Sequence, residues 1–250
     1  MQEIVRLLEE QQTELAGLVV DLDDDRWSRP SACEGWSISD VILHLAQSNE
    51  MAIGSTRGTF DVVLSRLLEG APPAANVDEG AEAMVVNERG RPPAEVHERW
   101  RRSCSDLRQG LLAHEPGDRL QWVAGDVAAR TLATTRLAET WIHAGDVAAG
   151  LDVELEPTDR LWHIARLAWR TIPYAFQRAG AEPPGPVAFR LVGPSGAAWS
   201  FGDDDAPTVI TGSGYELCQV AAQRRSPSDT SLTGNGPDAD RVLQLVRTFA

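Results

Sequence analysis

Apolar residues recur at helical spacing from the start of the chain, at Ile4, Leu7, Leu8, Leu15, Leu18 and Val19, and the pattern stops at the acidic stretch Asp21 to Asp25. This predicts a first helix with one buried face. Trp27 to Gly35, with Pro30, reads as a turn-rich connection. Ser37 followed by Asp40 then has the form of a capping box, so a second helix should begin just after Trp36, break near Gly54 or Gly58, and resume over Asp61 to Leu68. Gly70 to Asp78, with Pro72 and Pro73, reads as a loop, and a third helix should run through Val96, Trp100 and Leu107 to Leu112. AHEPGDRLQW is a further loop, and Ala129 to Gly150 has strong helical composition.

The pattern changes after GLDVELEPTDR. Pro157 and Thr158 set up a linking helix over 158–180, through Leu161, Ile164, Leu167, Ala168 and Ile172. Short β-rich runs follow at Val187 to Val192, Ala198 to Phe201 and Thr208 to Ile210, punctuated by Gly, Pro and Asp. Tyr215 to Gln223 and Asp238 to Phe249 read as helices. Periodicity therefore predicts a helical part over 1–156 and a mixed α+β part over 157–250.

Candidate chemistry sits on two of the expected helices. Glu139 and His143 stand one turn apart, so a carboxylate and an imidazole share a face and can reach one metal ion without distorting the backbone. Arg136 and Asp146 extend the same polar face, which alone could equally be a solvated stripe of alternating charge. His44 falls two turns into the second helix beside Val41, Ile42 and Leu45, where a lone histidine could be a core residue with a satisfied hydrogen bond. Together they form a His plus Glu-x-x-x-His set. Two imidazoles and one carboxylate leave a coordination position open, the pattern of a catalytic rather than a structural site. Asp146, three residues after His143, could orient that imidazole as a hydrogen-bond acceptor or lie on the helix surface.

These residues resemble a known family, the DinB-like metalloenzymes, and within them the mycothiol-dependent maleylpyruvate isomerase group. The resemblance rests on Gly35, Trp36, Ser37, Asp40, His44 and Leu45, on the helix with Glu139, His143, Gly145 and Asp146, and on the C-terminal WSFGDDDAPTVITGSGYELCQVAAQRR with a last helix ending RTFA. It implies an N-terminal DinB-like four-helix bundle with a small C-terminal, sterol-carrier-like α/β domain, and it places the metal triad on His44, Glu139 and His143. It further implies a divalent metal, zinc first with nickel or iron also able to use this ligand set, and mycothiol as thiol cosubstrate. The activity implied is addition of the thiol to a small electrophile, as isomerase or S-transferase. Arg224 and Arg225 match the place where isomerases of this group bring an arginine from the C-terminal domain toward the substrate, although a helix C-terminus also favours exposed cations. Arg57 and Arg136 are the alternatives within the bundle. The competing class is a metal-binding regulatory bundle without thiol chemistry, since fold does not fix function.

Composition narrows the partners. A net charge of −14 and a pI near 4.7 argue against general affinity for nucleic-acid backbones or anionic membranes. All 23 basic residues are Arg, a feature of genome composition rather than mechanism. No signal-like or membrane-spanning stretch opens the chain, so a cytoplasmic monomer or homodimer acting on small molecules is expected. Cys33, Cys104 and Cys218 are widely spaced and should be free thiols. His97 is expected on a helix surface, and His114 on a loop that could overhang the metal end.

Overall fold

The computed structural model describes residues 1–248; Phe249 and Ala250, the end of the last expected helix, lie outside the described residues. The chain forms two compact units, Met1–Leu155 and the residues from Glu156 onward. The class is α+β.

Four long helices build the first unit: α1 (Gln2–Val19), α3 (Ile38–Arg57), α6 (Pro93–Leu112) and α7 (Ala129–Gly150). α3 packs on α6 and α7, and α1 packs on the same two partners, which is the neighbour pattern of a four-helix bundle. The helix α3 is buried on nearly all sides from Ile38 to Ser55, so its polar residues need internal partners. Two amides find them: Gln47 donates to Met84 O and to Glu88 Oε2, each at 2.8 Å, and Asn49 donates to Ser103 Oγ at 3.1 Å. The capping box forms as expected. Ser37 Oγ accepts the Asp40 amide at 3.1 Å, and Asp40 Oδ2 accepts the Ser37 amide at 3.0 Å.

Shorter helices depart from the expected pattern. α2 (Asp24–Trp27) forms within the first connection, capped by Asp23 Oδ1 accepting from Arg26 N at 2.9 Å. Instead of one helix after Asp78 there are two, α5 (Val77–Glu88) and α6, because Pro92 and Pro93 cannot continue a helix from the N-terminal side but start one well. α4 (Phe60–Leu67) is separate from α3. The expected 113–122 loop contains β1 (Arg119–Leu120), which pairs antiparallel with β2 (Val127–Ala128) just before α7.

In the second unit the linking helix divides into α8 (Leu161–Arg170) and α9 (Ile172–Arg178), with Pro173 in the first turn of α9. A four-stranded sheet of order β4–β3–β5–β6 combines β3 (Val187–Val192), β4 (Ala198–Phe201), β5 (Thr208–Ser213) and β6 (Thr233–Asn235). β3 is antiparallel to β4 and parallel to β5, so the chain must pass beneath the start of β3. Gly202 makes that passage: its φ is +80°, and a Cβ there would lie 2.4 Å from Val187 O. α10 (Gly214–Ala221) packs on α8, and α11 (Ala239–Leu245) on α9. No helix among the described residues is long and apolar enough to cross a membrane.

Candidate metal centre

His44 from α3 and the pair Glu139 and His143 from α7 converge in the first unit. One ligand atom from each lies within 4.8 Å of the other two. His44 Nε2 stands 3.4 Å and His143 Nε2 3.5 Å from Glu139 Oε2. Both imidazoles turn their Nε2 toward the same carboxylate oxygen, a focus that suits a shared cation. The donor set fits a divalent metal with an open position, and the side chains are pre-arranged on two rigid helices rather than on loops.

The surroundings fix that geometry. Asp146, 2% exposed, meets His143 Nδ1 at 2.9 Å, which holds an Nδ1 proton on the Asp146 side and turns Nε2 toward the cluster. The Asp146 carbonyl accepts the Ala32 amide at 3.1 Å, tying this end of α7 to the segment before α3. Gly150 allows the same approach: a Cβ there would fall 2.5 Å from Pro30 O. Trp36, just before α3, lies near-parallel to His143 with centroids 6.3 Å apart and tilted against His44 at 5.0 Å. Its indole N–H donates to Glu82 on α5, which holds the ring as a wall beside both imidazoles. His44 Nδ1 is buried without a hydrogen-bond partner among the described residues.

Burial and mutual charge set the protonation states. Burial opposes a charge on His143, but its bonds to Asp146 and Glu139 outweigh this and raise the imidazole to about 9. Burial lowers His44, with contact to Glu139 offsetting part of the effect and the neighbouring His143 adding to it. Burial also opposes the charge on Glu139, yet both histidines and Arg136 hold its carboxyl well below the usual range. One half-buried carboxylate thus faces two imidazoles that compete to neutralise it.

The polar face of α7 is not a solvated stripe. Arg136 is 5% exposed, with its guanidinium over the Trp122 ring, 4.7 Å from the centroid. Trp122 was not singled out from the sequence, because its only local signal is a tryptophan in a loop. His114 stands apart from the cluster, with Nε2 3.0 Å from Thr56 O and Nδ1 3.2 Å from Asp118. His97 is not a surface residue: it is half-buried between Trp27 and Trp100, at centroid distances of 5.9 and 6.2 Å. The three cysteines are free, Cys33 half-buried and the other two buried; burial pushes Cys104 up to about 12.

Arg224 and Arg225 belong to the second unit, where they border a hollow of about 420 Å³ with Val220, Gln223 and Leu243. Arg224 Nη1 donates to Ala222 O at 3.2 Å. Arg225 Nη1 reaches Gln219 Oε1 at 3.3 Å and pairs with Glu216 Oε1 at 3.2 Å, so part of its charge is already matched within the unit.

The family model described as the mycothiol maleylpyruvate isomerase N-terminal domain matches residues 8–148. Uncharacterised proteins from two strains of Mycobacterium tuberculosis are each 37% identical over 240 residues, covering 95% of this chain and 91% of theirs. Two solved structures, of mycothiol-dependent maleylpyruvate isomerase and of its histidine-to-alanine mutant, share the fold with a TM-score of 0.61 over 95% of both chains, at 18% and 19% identity. The matched segment contains α3 and all but the last two residues of α7, with all three converging side chains. The chain therefore belongs to the family of the mycothiol maleylpyruvate isomerase N-terminal domain.

Proposed function

We propose that this protein is an enzyme that binds one divalent metal through His44 Nε2, the Glu139 carboxylate and His143 Nε2, and that it activates a low-molecular-weight thiol, mycothiol, for addition to a small electrophile. The observation that carries this reading is the convergence of the three ligand atoms within 4.8 Å on two packed helices, with His143 oriented by Asp146. Zinc is the first choice, and nickel or iron would accept the same donors. When bound, the metal supplies Lewis acidity that keeps the thiol as the thiolate nucleophile near neutral pH.

The residues of this chain supply position and surroundings. Asp146 holds the His143 tautomer, Trp36 shields the imidazoles from water, and Glu139 fixes the third donor. On the substrate, thiolate addition forms a C–S bond and moves the C=C pair onto the carbonyl oxygen as an enolate. Rotation about the new single bond and expulsion of the thiolate give the other geometric isomer; protonation of the enolate carbon instead retains the thioether. The family is named for an isomerase, and isomerisation and S-transfer share the first step. Arg224 and Arg225, in the domain over 157–250, are proposed to act on anionic substrates, with Arg224→Ala and Arg225→Ala slowing turnover more than they weaken metal binding.

The test is elemental analysis of the purified protein followed by incubation with mycothiol and a panel of activated alkenes. About one divalent metal per chain is expected from the one such cluster among the described residues, with loss of metal and of thiol consumption in the His44→Ala, His143→Ala double variant. Unchanged metal content in that variant would overturn the ligand assignment. Bound metal without any thiol turnover would favour the regulatory alternative.

A further inference from the structure

Arg136 is not one of the three converging ligand residues, yet the fold buries it beside them. It lies on α7 one turn before Glu139 and keeps only 5% of its surface. Nε and Nη1 are both buried with no hydrogen-bond partner among the described residues. Its electrostatic relief comes from Glu139, whose carboxylate is itself shared between His44 and His143. A buried cation lacking a hydrogen-bonded anion opposes folding, so a residue of this kind is kept for something other than stability.

The platform beneath it is built, not incidental. Trp122 sits between β1 and β2, packs on Phe60 of α4 at 5.8 Å, and is 9% exposed. The adjoining Gln121 carbonyl accepts from Ser55 Oγ of α3 at 2.6 Å, and the Ala129 amide at the start of α7 donates to Asp118 O at 2.8 Å. The loop is therefore pinned to both helices that carry the cluster. With one face of the guanidinium covered by the indole, a partner approaches in the guanidinium plane, along an edge. Each of the two edges that can take a planar anion bidentately includes one of the unfilled donors, Nε or Nη1.

We propose that Arg136 is the anchor for a carboxylate group of the small-molecule substrate, held beside the His44–Glu139–His143 cluster and stacked side-on against Trp122. This rests on reading that cluster as the reaction site. A carboxylate fits better than a phosphate: it is planar, matches the edge geometry, and brings one negative charge rather than two close to Glu139. Arg136 is thus the bundle residue that favours anionic over neutral electrophiles, apart from any contribution of Arg224 and Arg225.

The experiment titrates the metal-loaded full-length protein with succinate and with its uncharged isostere succinamide, by calorimetry, alongside the Arg136→Met and Arg136→Lys variants. The wild type should bind succinate and not succinamide, and Arg136→Met should weaken succinate binding roughly ten- to a hundredfold, the ordinary worth of a charge-assisted bond. Arg136→Lys should recover part of it, as a point charge without the planar fork. Melting temperatures separate this from a packing role. Arg136→Met should melt at the wild-type temperature or above, since it removes two buried unfilled donors and keeps an apolar side chain against Trp122. A lower melting temperature with unchanged succinate affinity would make Arg136 a structural stack on Trp122 and overturn the proposal, as would equal binding of succinamide or no succinate binding by the wild type. Metal content is measured on every sample: a wild type that holds no metal but binds succinate through Arg136 would sink the reading of the cluster and leave this site standing.

Discussion

At the scale of single residues, His143 concentrates the consequences. Its folded value of about 9 lies above the ordinary 6.5, so in protein stripped of metal its bound proton stabilises the fold fully below about pH 6.5, and that contribution is lost as pH rises through about 9. A metal at Nε2 must displace the same proton. Apparent zinc affinity should therefore climb about tenfold per pH unit between 6.5 and 9, with about one proton released from His143, read by calorimetry in buffers of different ionisation enthalpy. Affinity that is flat across this window would remove His143 from the ligand set. Asp146 acts through His143: Asp146→Asn keeps the shape but loses the charge and the fixed tautomer, and should weaken zinc binding roughly ten- to a hundredfold in competition with a chromophoric chelator. An unchanged affinity would leave Asp146 a buried acceptor with no part in the site. The spacing of Glu139, His143 and Asp146 was legible because helical geometry alone puts them on one face. The burial of Arg136 was not, because it depends on Trp122, fourteen positions earlier in a loop.

At the scale of elements, α3 and α7 are held in register by contacts at their ends. The capping box that starts α3 sets where His44 falls, and Ser37→Ala should lower stability by about 1 kcal/mol, measured by urea denaturation. Gly150 bears on the other end of the pair. With a Cβ 2.5 Å from Pro30 O, Gly150→Ala must displace the segment that feeds Trp36 into the site, at about 1–3 kcal/mol, and should weaken zinc binding as well. A variant as stable as the wild type would show that the Pro30 turn yields freely. The start of α3 was readable from Ser37 and Asp40, since capping is a local event. The division into α5 and α6 was missed although Pro92 and Pro93 were in view, because the strong apolar pattern from Val96 to Leu112 dominates the reading of the weaker segment before it.

At the scale of the whole molecule, all three converging side chains, Asp146, Trp36 and the core around α3 lie within Met1–Leu155. A chain cut to residues 1–155 should remain helical and bind about one zinc by elemental analysis, while losing thiol turnover if the C-terminal unit contributes to substrate handling. A fragment that folds but holds no metal would show that the ligand set is incomplete. For the full chain, removal of the metal by a chelator should lower the melting temperature. Free metal at a hundred times its Kd adds about 2.7 kcal/mol to the folded state, a shift easily seen in a thermal scan.

The sequence by itself determined what depends on near neighbours along the chain: where α1, α3 and α7 begin, and that Glu139 and His143 share a face. It also carried the family, through residues at two helix segments and in a C-terminal stretch. Tertiary structure alone decided what depends on distant segments meeting. The approach of His44 to Glu139 within 3.4 Å is set by the packing of α3 on α7, and the burial of Arg136 by a loop folding over it. The burial of His97 between Trp27 and Trp100 has the same origin. Helical periodicity records which face turns inward, but the identity of the side chains waiting there comes from elements many residues away, and no local pattern encodes them.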